Sequence, residues 1–212
     1  MTMLSNPPSS TDPMIEWLMA GDAAIRWQTM RDLLEMPAQA WQKERQQTVT
    51  SGWGAQLLAE QEENGRWGGG FYSPKWISST YTLLTLIDIG IPAMHEAARR
   101  GAKLTLQEML GASNDENFRQ KLAELDRCIV GMMLRIGGYC GIEDDRIEAI
   151  VANLLAERMP DDAWNCRRHR RPKPHHSSFH TTFNVLEGLR EYLEAGRGKQ
   201  CEAVLAAEQA AL

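Results

Sequence analysis

One recurrence constrains this chain more than any other feature. A glycine-tryptophan loop feeds an apolar helix pattern at "NGRWGGGFYSPKWISSTYTLLTLI", residues 64–87. The stretch "DDAWNCRRHRRPKPHHSSFHTTFNVLEGL", residues 161–189, repeats the arrangement. Trp164 follows Trp67 by 97 residues, and the string LLAE that begins at Leu57 recurs at Leu154, the same distance on. Apolar helices start near Ala24, Trp76, Cys128 and His180, in steps of about 52 residues. A repeat of that length is a supersecondary unit that buries its apolar face only by stacking on its neighbours. Alternating Val/Ile/Thr runs are absent, and apolar residues recur at helical spacing. The pattern predicts an all-α chain of about four helical hairpins, with apolar inner helices alternating with amphipathic outer ones.

Local signals agree. Asp22 is placed to cap the helix that starts at Ala23–Ala24, and Pro37 stands just past its end. Gly90 and Pro92 stop the helix that begins near Trp76. The stretch "WQKERQQTVTSGWGAQLLAEQEE" reads as one half-exposed outer helix, and "EDDRIEAIVANLLAERM" as an amphipathic helix with carboxylates in its first turn. The inner helices carry small or weakly polar residues, among them Ser78, Ser79, Thr80, Gly131, Thr181 and Asn184. These suit close helix contacts or a lined cavity, and favour a closed ring over an open solenoid. Residues 1–12 read as a disordered leader and 13–212 as a single domain. The last unit has a short outer partner, Lys199 to Leu212. A C-terminally incomplete ring is therefore expected, with an apolar edge that promotes self-association.

Composition removes several classes. A net charge of −5 argues against nucleic acid as a partner of the whole chain. No run approaches the roughly 18 apolar residues of a transmembrane segment, and "MTMLSNPPSSTDP" has neither the basic start nor the apolar core of a secretory signal. Four cysteines without a CxxC do not make a disulfide framework and fit a reducing, cytoplasmic setting.

The stretch "LLAEQEENGRWGGGFYSPKWISSTYTLLTL" resembles the QW-type repeat of squalene–hopene cyclases and related prenyltransferases, in which a Gln and a Trp brace an outer helix against the next inner one. Gln61 and Trp67 stand in those places; the second copy has Arg158 and Trp164. "HHSSFHTTFNVLEGL" is similar to the last zinc-bearing helix start of protein prenyltransferase β subunits. The likeness spans about Asp12 to Leu212. It implies an α/α toroid, here a partial ring, that acts on a prenyl or other apolar, lipid-like substrate in a central cavity. The acidic DxDD string of the cyclases is missing. Asp144, Asp145 and Glu148 match a DDxxE string, but at a helix start where carboxylates are ordinary.

The same resemblance implies a Zn²⁺ site at the rim where inner helices begin. Its ligands are Asp126, Cys128 and His180, with Cys166 as substitute or fourth ligand. Zinc accepts O, S and N donors in a tetrahedron. The basic run 167–176 reads either as a solvated loop or as a site for an anionic group, through Arg167, Arg168, Arg170 and Arg171. His95 and His169 read as surface residues, and Tyr81, Tyr139 and Phe183 as core. Two further readings stay open beside the enzyme: a non-catalytic binding module for a peptide or lipid, and a helical-repeat scaffold for a protein partner. "GDAAIRWQTMRDLL" would equally open a HEAT-like unit.

Overall fold

The computed structural model describes residues 12–167, 172–196 and 199–211. Every named regular element among them is helical; the β geometry there is a single isolated bridge between Trp67 and Gly70. In chain order the helices are α1 (Pro13–Met19), α2 (Ala23–Asp32), α3 (Ala38–Arg45), α4 (Gly52–Ala59), α5 (Ser79–Ile89), α6 (Glu96–Leu110), α7 (Glu116–Glu124), α8 (Arg127–Tyr139), α9 (Asp145–Ala156), α10 (Phe179–Glu194) and α11 (Cys201–Ala211).

The expected helix starts hold at α2, α8 and α10. The start near Trp76 moves to Ser79. Trp76 itself has a φ of 74° and stands 78 % exposed in the loop. The single outer helix expected over 41–63 is broken. A 3-10 turn, Gln46–Val49, follows α3, and α4 begins afresh at Gly52. Gly52 has a φ of 67°, and an added Cβ there would lie 1.9 Å from the Asp22 carboxylate. That carboxylate accepts from the amides of Ala24 and Trp53, so one side chain fixes the starts of both α2 and α4. Leu122, Ala123 and Glu124 close α7, and Leu125 is its extended C-cap. Arg127, buried at the start of α8, turns its guanidinium back onto the carbonyls of Leu122, Ala123 and Leu125, which end α7.

α5, α8 and α10 run parallel. Gly131 in α8 meets Asn184 and Val185 in α10, and Gly138 meets Glu191, so the register is constant along the pair. An added Cβ on Gly131 would sit 2.6 Å from the Asn184 carbonyl oxygen, and one on Gly188 2.5 Å from the Gly131 oxygen. The two helices touch backbone to backbone, which explains the small residues on their faces. At the far end Asp88 of α5 pairs with Arg135 of α8 at 2.5 Å. α6, α9 and α11 pack as the partners of α5, α8 and α10. Leu86, Leu106, Phe118, Val130, Leu134, Ile150, Trp164 and Leu189 form one buried core with them.

Trp67 and Trp164 occupy equivalent joints. Each indole N–H donates to a carbonyl ten residues earlier, Leu57 for Trp67 and Leu154 for Trp164, both at 2.7 Å. Each backbone N–H donates to a hydroxyl of the next inner helix, Ser79 at 3.0 Å and Thr182 at 3.2 Å. Both side chains are at most 2 % exposed. Gln61 donates to Ala97 in α6, and Trp67 lies over Gly101 of the same helix, where an added Cβ would meet the ring at 2.4 Å. Arg158, in the place of that Gln, pairs with Asp162 at 3.5 Å. The brace is therefore repeated, with its polar half rebuilt in the second copy.

Candidate functional site

Parallel α8 and α10 begin side by side. Cys128 and Cys166 meet there. Cys128 lies in the first turn of α8, and Cys166 lies in the loop that Trp164 anchors. The Cys128 amide donates to the Cys166 sulfur at 3.2 Å, and the Thr181 hydroxyl of α10 donates to the same sulfur at 3.3 Å. The loop is held by Asn165, which donates to the His176 carbonyl, and by the Ser177 amide, which donates to Asp161. The neighbouring Cys128, with the Thr181 hydroxyl, draws the Cys166 thiol down, against the opposing effect of burial and of Asp126. Cys128 is pushed up beside Cys166 and by its own burial. Asp126, preceding α8, is near enough to raise both thiols and the Tyr72 hydroxyl, although burial is the main cause at Tyr72.

His180 is exposed in the first turn of α10, and its carbonyl accepts from Asn184. Among the described residues no group of three or more His, Cys, Asp or Glu side chains is placed to hold a metal ion. Two of the four expected zinc ligands, Cys128 and Cys166, thus lie together, Asp126 acts on them at range, and His180 faces solvent. A tetrahedral cage would require His180 to turn inward. Arg167 is exposed beside Cys166, its amide held by Asn165 at 2.8 Å. Arg168, Arg170, Arg171 and His169 lie outside the described residues.

Two aromatic groups stand near the starts of α5 and α10. Tyr81 of α5 packs against Tyr72 at 5.5 Å and against Trp76 at 5.1 Å between ring centroids. Phe179 and Phe183 of α10 stack at 6.3 Å. Phe179 is 89 % exposed and Phe183 54 %, so Phe183 is not the core residue expected from its helical position. His95 is likewise not a surface residue; it is half-buried, with its Nδ1 enclosed and unpartnered.

Two of the three DDxxE carboxylates, Asp144 and Glu148, are occupied structurally. Asp144 caps α9 through the Arg146 amide at 2.9 Å and pairs with the Arg146 guanidinium at 2.6 Å. Glu148 accepts from the Tyr192 hydroxyl and from Gln200. They border an opening of about 780 Å³ between α9 and α10, together with Ile147 and Tyr192.

The opposite ends of the inner helices form a smaller, charged cleft of about 260 Å³ that sequence patterns gave no sign of. Arg45 donates to the Gly90 carbonyl and to the Tyr139 hydroxyl, each at 2.6 Å. Arg135 bridges Asp88 and Glu187, and Glu191 lies beside it. Burial, then the neighbouring Glu194, pushes the Glu191 carboxyl up to about 7, against Arg135 and Arg190. Its ordinary value is 4.5, so between about 4.5 and 7 the folded state binds more protons than the unfolded one. Stability therefore falls as pH rises through that window and stays level above it. Glu191→Gln should remove this slope and stabilise the protein at pH 8 by about 1–2 kcal/mol, a figure discounted for solvent screening at a half-exposed group. Chemical denaturation at pH 5 and pH 8 checks it: equal losses in both proteins would show that Glu191 does not titrate in this window.

Compared with family models, curated proteins and solved structures, the chain shows no significant match.

Proposed function

We propose that this protein is an arc of an α/α toroid that works as a binding module for an amphipathic ligand, an apolar chain with an anionic head. The observation that carries the reading is the aromatic shelf at the rim. Trp76 and Ile77 precede α5, Phe179 and Phe183 lie in the first turns of α10, and all four are more than half exposed; large exposed apolar side chains mark an interaction surface. Lys75, Arg167 and Lys173 are exposed on the loops that border the shelf and supply the charge for the head group. Among the described residues no helix is long and apolar enough to cross a membrane, so the shelf is not part of a spanning segment.

Farnesyl diphosphate and a long-chain fatty acid are the probes, titrated calorimetrically. Each buried aromatic contributes on the order of 1.5–3 kcal/mol, so Trp76→Ala and Phe179→Ala should each weaken binding by about tenfold or more. Both side chains are exposed, so the melting midpoint should not move. Unchanged affinity in both variants would remove the rim from the reading.

The second reading is a prenyl-transfer or cyclase-type enzyme with a rim zinc held by Asp126, Cys128 and His180 or Cys166. The meeting of Cys128 with Cys166 favours it, as do the hydrogen bonds that hold Cys166 toward thiolate. Stoichiometric zinc in purified protein, lost in Cys128→Ala, would put this reading first; zinc-free protein that binds the probes would leave the binding module in place.

A further inference from the structure

We propose that Cys128 and Cys166 are a peroxide-sensitive dithiol, which closes to a disulfide that pins the Trp164 loop to the start of α8. The inference concerns the thiols themselves and is independent of what the rim binds. The Cys166 sulfur lies 3.2 Å from the backbone nitrogen of Cys128 and accepts its N–H. No backbone segment has to cross the fold to bring the sulfurs together. All four cysteines are free, and these two are joined by the bond from the Cys128 amide to the Cys166 sulfur. Cys140 is buried in the core, 1 % exposed, and Cys201 starts α11. Both rim cysteines are half-buried, so a small oxidant reaches them. Two donors converge on the Cys166 sulfur: the Cys128 amide at the N-terminus of α8 and the Thr181 hydroxyl. Such an arrangement selects Cys166 as the attacking sulfur and Cys128 as the resolving one.

The chemistry balances with hydrogen peroxide as the oxidant. The Cys166 sulfur attacks one peroxide oxygen, the O–O bond breaks, and the leaving hydroxide takes a proton to become water. Cys166 is then a sulfenic acid. The Cys128 sulfur attacks the Cys166 sulfur, an S–S bond forms, and the sulfenic oxygen leaves with the Cys128 proton as a second water. Two thiols lose two electrons to one peroxide. A thiol donor of the glutathione or dithiothreitol class reverses the step by exchange.

The test is exposure of the full chain to stoichiometric hydrogen peroxide, followed by intact mass, thiol counting and peptide mapping. Wild-type protein should lose two hydrogens in mass and two of its four titratable thiols, and mapping should give a Cys128–Cys166 link. Dithiothreitol should restore all four. The oxidised protein should melt several degrees higher, because the link closes a long loop in the unfolded chain. Cys128→Ser should instead gain one or more oxygens at Cys166, and Cys201→Ser should behave as wild type. Oxygen addition at Cys166 in the wild type without the link would overturn the proposal. So would thiols that resist peroxide, as a bound metal would cause, or a link through Cys140 or Cys201.

Discussion

Truncating Trp164 to Ala is expected to cost about 3–5 kcal/mol, the range for emptying a buried aromatic site. Trp164 is fully buried, and its indole N–H is the donor that reaches the Leu154 carbonyl. Removing the ring leaves a cavity between α9 and the start of α10 and takes from the Leu154 carbonyl the shorter of its two hydrogen bonds, leaving the Glu157 amide at 3.2 Å. Trp67→Ala removes the same brace one repeat earlier and should cost a similar amount. The two joints lie at different helix pairs, so the double variant should lose close to the sum, if it folds at all. Equilibrium urea denaturation measures both. A loss under about 1 kcal/mol for Trp164→Ala would mean that the joint is not a brace.

Gly131→Ala is expected to destabilise by about 1–3 kcal/mol although it adds a single methyl group. The methyl would meet the backbone of α10, with the Asn184 oxygen at 2.6 Å and the Val185 Cα at 2.9 Å. Backbone cannot rotate away as the end of a side chain would, so the helices must separate. Gly188→Ala presses on the same crossing from the other side, 2.5 Å from the Gly131 oxygen. Once one substitution has parted the helices, the second should cost less, so the pair should be measurably non-additive. Thermal melts of the two single variants and the double test this; full additivity would show that the crossing relaxes locally.

The sequence made the repeat legible because its physics is local. A tryptophan ten residues after the first Leu of LLAE produces the same indole-to-carbonyl bond in both copies. Helix starts at α2, α8 and α10 were legible through caps and apolar spacing. The start of α5 was missed because Trp76 and Ile77 continue an apolar run into a loop where they are exposed. Apolar character alone does not separate a core position from a shelf, and Phe183 was misplaced for the same reason. The meeting of Cys128 with Cys166 was partly legible, since both were singled out at one rim. What distinguishes them from His180 is side-chain direction, which spacing does not carry. The charged cleft around Glu191 left no motif at all. Arg45, Asp88, Arg135, Glu187 and Glu191 come from four separate helices and look like ordinary surface charges until the inner helices are laid side by side.

The proposed function rests on the rim shelf, and the indole region of a ¹H–¹⁵N spectrum addresses it most directly. The chain has seven tryptophans, each with its own indole N–H signal. Trp67 and Trp164 are buried at the joints, Trp76 stands on the shelf, and Trp53 borders a separate apolar groove of about 650 Å³ between α2 and α4. Titration with farnesyl diphosphate should shift the Trp76 signal progressively to saturation while those of Trp67, Trp164 and Trp53 stay in place. A Trp76 signal unmoved at excess ligand, or a shift confined to Trp53, would contradict the account.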